Sequence, residues 1–140
     1  MSATEPSSAF QQALIYAGRG WAVLPCHQPR HGSCSCGRVD CTSPAKHPRT
    51  AHGLRDASTD PERIRAWWRR WPEANVAVRT GAASGLVVLD IDPPHGEASL
   101  ATLVAHHGVL PPTLTVNTGS GGYHLYFAHP GTTLRNSAGV

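Results

Sequence analysis

The chain has 140 residues, 40% of them hydrophobic; this fits one domain (residues 1–140) with a modest buried core and excludes a disordered chain. No apolar run approaches the roughly 20 residues of a membrane span, and residues 1–8 have neither the basic start nor the apolar core of a secretory signal, so a cytoplasmic chain with no membrane partner is expected. The formal net charge is only +3, yet eleven of the twelve Lys and Arg residues lie between Arg19 and Arg79, a half that would attract phosphates or else present a solvated helix face.

Residues 9–19, preceded by Ser7 and Ser8, read as a helix with Phe10, Leu14 and Ala17 near one face and Gly18 or Gly20 as its stop. Residues 21–24 read as a short buried strand. From residue 25 to 57 the periodicity dissolves into Pro, Gly, Ser, Cys and His, a stretch too long for an ordinary loop, which something other than a core must order. The next helix has Thr59 as N-cap, Glu62 three residues on to complete a capping box, Pro61 in its first turn and Pro72 at its end. Its Ile64, Trp67, Trp68 and Trp71 fall at the spacing of a core-facing stripe rather than a base-stacking surface, and it also carries Arg63, Arg65, Arg69 and Arg70.

Residues 75–79 and 86–92 read as two strands joined by a hairpin turn over residues 80–85. Residues 97–107 form a helix with Leu100, Leu103 and Val104 inward and Gly108 as its stop. Residues 113–117 and 123–127 make a second strand pair around Gly119-Ser120-Gly121-Gly122. The order predicts an α+β fold: a small mixed, largely antiparallel sheet with flanking helices and a loop insertion over residues 26–57.

Three groups of residues carry chemistry. Leu86-Val87-Val88-Leu89 read as a buried strand that delivers Asp90 and Asp92, spaced by two and so on one face. Two carboxylates that close repel unless a cation sits between them, and a divalent metal is the usual partner; a polar strand end entering Pro93-Pro94 is the plainer alternative. The insertion holds Cys34-x-Cys36-x4-Cys41-x5-His47, with Cys26, His27 and His31 upstream. Four cysteines crowded into a cytosolic loop suit a structural zinc rather than disulfides: Cys34, Cys36, Cys41 and His47 are the expected ligands, with His31 or Cys26 as substitutes. Finally, the glycines of residues 119–122 would let backbone N–H groups approach an anion, and strand alternation puts His124 and Tyr126 on one face. Metal on one strand and a phosphate donor on another is the equipment of metal-dependent phosphoryl or nucleotidyl transfer.

The ordered set Cys34-x-Cys36, Ser43-Pro44-x-Lys46-His47-Pro48, Trp67-Trp68, Asn75, Thr80-Gly81-x-x-Ser84-Gly85-Leu86-x-Val88-Leu89-Asp90-x-Asp92, Leu110-Pro111-x-Thr113 and Thr118-Gly119-Ser120-Gly121-Gly122-x-His124 resembles the bifunctional primase/polymerase (prim-pol) domain of the archaeo-eukaryotic primase superfamily, found in plasmids, phages and integrated elements. The resemblance implies template-directed nucleotidyl transfer by a two-metal mechanism. Asp90 and Asp92 would hold Mg²⁺ or Mn²⁺, and His124, with Ser120, Gly121 and Gly122 before it, would contact the triphosphate of a dNTP or NTP. Lys46 and Arg49 would be further phosphate contacts, and the Cys/His insertion would correspond to a zinc-bearing element that contacts DNA template or primer. A helicase domain or protein downstream is a further implied partner. The family's third metal-binding aspartate has no counterpart here, since Glu97 does not match its position; the chain is therefore expected to be the N-terminal part of a longer domain or a truncated gene product, with weak or no activity alone. Two other readings fit parts of the pattern: a non-catalytic, zinc-ordered nucleic-acid-binding module, and a phosphohydrolase using the first Asp of D-x-D as nucleophile, against which stands Pro93-Pro94 directly after the motif.

Overall fold

A computed structural model describes residues 5–139, so residues 1–4 of the N-terminal stretch and the final Val140 lie outside the described residues. The fold is α+β, with three α-helices and small antiparallel sheets among the described residues, as the element order led one to expect. Two compact units divide the chain, Met1–Ser84 and Gly85–Val140.

The first unit opens with helix α1 (Ser8–Gly18), whose N-cap Ser7 accepts a hydrogen bond from the Phe10 amide at 3.2 Å, which satisfies one of the amides a helix start leaves unpaired. Strand β1 (Val23–Cys26) follows, starting two residues later than the sequence pattern predicts, and every one of its residues is buried. Between β1 and the next helix, the long irregular stretch contains only the two-residue strands β2 (Pro29–Arg30) and β3 (Ser33–Cys34) and one turn of 3-10 helix (Gly53–Asp56). It is stitched to β1 by bridges Cys26–Pro48 and Val23–Ser58.

Helix α2 (Pro61–Arg70) is capped by Asp60 and not by Thr59: the Asp60 carboxylate accepts from the Glu62 amide at 3.0 Å. The one-residue correction follows from Pro61, whose fixed φ and missing N–H suit the first helical position and so place the cap immediately before it. The tryptophan stripe also divides. Ile64 and Trp68 are buried, with Trp68 Nε1 donating to the Ala74 carbonyl, whereas Trp67 and Trp71 are half-buried beneath Arg63 and Arg70 guanidiniums 5.4 and 5.0 Å from their ring centres. Ile64 and Trp68 join Ala13, Ala17, Val23 and Ala74 in the core of this unit.

Strand β4 (Asn75–Val78) pairs antiparallel with β1, Leu24 opposite Ala77, and not with the strand that follows it. The predicted hairpin over residues 80–85 is therefore overturned. Ser84 explains why the chain turns away: its hydroxyl accepts from the Ala22 amide at 2.9 Å and donates to the Arg79 carbonyl, which ties this turn to β1.

The second unit is a three-stranded sheet in the order β5-β7-β6, from β5 (Leu86–Ile91), β6 (Thr115–Asn117) and β7 (Tyr123–Ala128), with helix α3 (Gly96–His107) against β5. β5 is less buried than its apolar run predicts: Leu86 and Ile91 are buried, but Val87, Val88 and Leu89 only half so. Leu100, Leu103 and Val104 of α3 are half-buried, in keeping with the inward stripe read from the sequence.

Candidate functional site

β5 and β7 are antiparallel with Asp90 directly opposite His124, so the two side chains leave the sheet on the same face. His124 Nε2 lies 3.2 Å from Asp90 Oδ1. Asp92 falls one residue past the end of β5, outside the ladder, and is held from two sides. Ser120 Oγ donates to its Oδ1 at 3.3 Å, and the Gly96 amide, in the first turn of α3, donates to its carbonyl at 2.7 Å.

The glycine turn earns its composition. The Gly121 amide donates to the Thr118 carbonyl at 3.3 Å and the Thr118 amide to the Gly122 carbonyl at 2.9 Å, while Gly121 has φ +89°, a left-handed backbone that side chains disfavour. Gly122 is required for a different reason: a Cβ there would collide with the Ile91 carbonyl oxygen and lie 3.2 Å from both Cα and Oδ1 of Asp92. The turn thus packs backbone to backbone against the end of the carboxylate strand. Glu97 takes no part in the Asp90 and His124 face. It hydrogen-bonds the Tyr123 hydroxyl, which together with burial raises the Tyr123 pKa, and Tyr123 is the register partner of Ile91.

The Asp90 side chain is 54% exposed, and Asp92 is exposed too. Each has one oxygen engaged, and among the described residues neither Oδ2 accepts a hydrogen bond. Exposed carboxylate oxygens with open lone pairs are the donor set that hard cations such as Mg²⁺ or Mn²⁺ take, so the residues fit a divalent ion.

In the first unit, the ligand atoms of Cys34, Cys36, Cys41 and His47 all lie within 4.8 Å of one another, the one such gathering of metal-ligating side chains among the described residues. Cys34 Sγ is 3.4 Å from His47 Nε2. A tetrahedral zinc with ordinary Zn–S and Zn–N bonds separates those two atoms by about 3.5 Å, so the group fits zinc. The Ala45 amide, donating to Cys34 Sγ at 3.3 Å, is the main cause of a Cys34 thiol brought down to about 6, helped by Cys36 and His47. A thiol poised to ionise is a thiol poised to ligate. Burial has the opposite effect on Cys41, pushing its thiol up. Of the alternative ligands, Cys26 is buried in β1 with its thiol raised by burial, and His31 occupies the exposed tip of the β2–β3 hairpin at φ +49°. Neither joins the four.

Lys46 is exposed and, with Ser8, Gln12 and Asn75, lines an open cavity of about 430 Å³. Arg49 is engaged internally: one guanidinium nitrogen donates to Gln28 Oε1 at 2.7 Å and to Ser35 Oγ at 3.0 Å. The sequence reading missed this network, and also the bond from Ser120 to Asp92. A serine between two candidate zinc ligands was the available signal for the first; the second depends on how the glycine turn closes.

A carboxylate strand paired with a histidine strand behind a glycine turn, in a chain that also carries a Cys3His loop, is an arrangement suited to the nucleotidyltransferase class of protein. The chain is a member of one family within it: residues 13–140 match the family Prim-Pol, "Bifunctional DNA primase/polymerase, N-terminal". Its general activity is that of a DNA primase/polymerase, with nucleic acid and nucleotides as substrates. No curated protein and no solved structure matches the chain. Among the described residues, no helix is long and apolar enough to cross a membrane.

Proposed function

We propose that the chain carries out template-directed nucleotidyl transfer by a two-metal mechanism, on primed or single-stranded DNA with a dNTP or NTP. The pairing of Asp90 with His124 at 3.2 Å, beside Asp92 bonded to Ser120, carries the reading. Asp90 and Asp92 hold Mg²⁺ or Mn²⁺, which when bound lower the pKa of a 3′ hydroxyl and offset charge on the phosphates. His124 and the turn of Ser120, Gly121 and Gly122 before it contact the triphosphate, as the resemblance implies. Lys46, which the resemblance implies as a phosphate contact, is exposed and lines an open cavity of the first unit. Arg49, also implied by the resemblance, has one guanidinium nitrogen committed to Gln28 and Ser35, which leaves it the poorer candidate.

Cys34, Cys36, Cys41 and His47 hold a structural zinc that orders residues 26–57, since four protein ligands leave no open position. Eleven cationic residues in the same half of the chain favour contact of that loop with template or primer. Replication of a plasmid, phage or integrated element, in the cytoplasm and alongside a helicase, is the setting this activity suits.

The test is incorporation of labelled dNTP on a primed template with Mg²⁺ or Mn²⁺, together with DNA binding at several salt concentrations. Weak incorporation, in keeping with only two of the family's three carboxylates being matched, that disappears in Asp90→Ala and Asp92→Ala while DNA binding persists is the expected result. Incorporation unaltered by both substitutions would sink the assignment. Salt-dependent DNA binding with no incorporation under any metal would favour the non-catalytic module.

A further inference from the structure

We propose that Arg49 is a positioning residue for the Cys/His centre: it holds Ser35, the residue between Cys34 and Cys36, and so sets how the two thiols present themselves to the metal. The inference rests on the reading of Cys34, Cys36, Cys41 and His47 as zinc ligands.

Ser35 Oγ is the hub of a polar network. It accepts from Arg49 at 3.0 Å and from the Gln28 amide at 3.1 Å, donates to Gln28 Oε1 at 3.1 Å, and lies 2.8 Å from His27 Nδ1. A hydroxyl has one proton and two lone pairs, so three partners already saturate it and the fourth contact shares one of those positions. Gln28 is itself only 6% exposed, and its carboxamide oxygen accepts from Arg49 at 2.7 Å, which closes a triangle of Arg49, Gln28 and Ser35. The backbone repeats the connection, with the Ser35 amide donating to the Gln28 carbonyl at 2.9 Å.

The network reaches the other end of the ligand set as well. The His27 ring lies 4.4 Å from that of His47, the His27 amide donates to the His47 carbonyl, and the Arg49 amide donates to the Pro25 carbonyl of β1. Arg49 also lies over the Trp71 ring at 5.6 Å, just past the end of α2. One residue, through its backbone amide and its side chain, therefore ties the Cys34-Ser35-Cys36 segment to β1 and to the end of α2. Charge agrees with geometry. Zinc with three thiolates and a neutral imidazole carries one net negative charge, and Arg49 is the cation placed beside it. A surface arginine would not be held like this: Arg49 Nε is buried without a hydrogen-bond partner among the described residues. Groups of this kind, one bond removed from the ligands, orient them and tune metal affinity.

Zinc affinity, measured by competition with a chromophoric chelator on the full chain, tests the proposal. Arg49→Met and Ser35→Ala should each weaken zinc binding by about 10- to 100-fold, and the double variant should fall no further than the weaker single variant, to within about threefold, because both remove one interaction. Arg30→Met, which removes a neighbouring cation bonded to neither Ser35 nor Gln28, should stay within about twofold of the parent. Parental affinity in Arg49→Met or in Ser35→Ala, or losses that multiply in the double variant, would overturn the proposal. Ser35→Ala removes only a hydroxyl and leaves the Trp71 stack intact, so it decides the matter even if Arg49→Met does not fold. A parent chain that binds one zinc, lost in Cys36→Ser yet unaffected in Ser35→Ala, overturns this inference alone; a parent that binds no zinc overturns the zinc reading as well.

Discussion

Replacing Gly122 by alanine asks more of this structure than its single methyl suggests. The new Cβ would meet the carbonyl oxygen of Ile91 well inside van der Waals contact and lie 3.2 Å from Asp92 Cα. Both are backbone atoms, so no rotamer change relieves the collision. Restoring an ordinary carbon–oxygen contact of about 3.3 Å requires the start of β7 to draw back from the end of β5 by roughly 1 Å. That is where Asp92 and His124 sit. Overpacking of this kind costs about 1–3 kcal/mol of stability, and a displacement of about 1 Å at reacting groups costs about 100-fold in rate. The comparison is Gly119→Ala, in the same turn, where an added Cβ has no atom within 4 Å and φ is not left-handed. Urea denaturation and dNTP binding in the presence of Mn²⁺ should show Gly122→Ala impaired in both and Gly119→Ala within about 0.5 kcal/mol of the parent. If Gly122→Ala matched the parent in stability and nucleotide binding, the close contact between the turn and the carboxylate strand would be refuted as a feature of the site.

The core and the half-buried face of α2 should separate cleanly by mutation. Ile64→Ala, at a fully buried position, should cost about 2–5 kcal/mol in urea denaturation, and Trp67→Ala, half-buried beneath Arg63, clearly less; equal costs would contradict the division of the stripe. In metal-free protein, thiolate absorbance should rise with a component near pH 6 that disappears in Cys34→Ala. Because the folded pKa of Cys34 lies below that of a free thiol, its contribution to loop stability is complete above about pH 9 and is lost as pH falls towards 6, so chelator-treated protein should become more protease-sensitive in that segment on acidification across this window. Protease sensitivity that does not change between pH 9 and 6 would contradict the placement of the Ala45 amide against Cys34.

What the sequence made legible was what depends on near neighbours. The four clustered Cys/His side chains fall within fourteen residues, and ligand chemistry at short spacing leaves few ways to arrange them. Asp90 opposite His124 was half legible, since strand alternation puts each on a definite face, although only folding sets the register between them. The strand pairing was not legible. Residues 80–85 have the small, glycine-flanked composition of a hairpin, but Ser84 is bonded to Ala22, sixty-two residues earlier, and β4 pairs with β1. The cap of α2 was misplaced because Thr59 and Glu62 imitate a capping box, while Pro61 decides in favour of Asp60. Arg49 looked like a phosphate contact because it follows Lys46-His47-Pro48; its true neighbours, Gln28 and Ser35, are fourteen or more residues away in the chain.

The most direct test of the account is a Mn²⁺ titration of the parent, Asp90→Asn and Asp92→Asn proteins with and without dNTP, read by electron paramagnetic resonance. Asparagine keeps the size of each side chain and removes the charge. The account predicts Mn²⁺ binding by the parent that tightens when dNTP is present, and a loss of about tenfold or more in each variant, with zinc content unchanged. Identical Mn²⁺ binding in all three proteins would contradict it, because Asp90 and Asp92 would then not be the metal ligands on which the proposed chemistry depends.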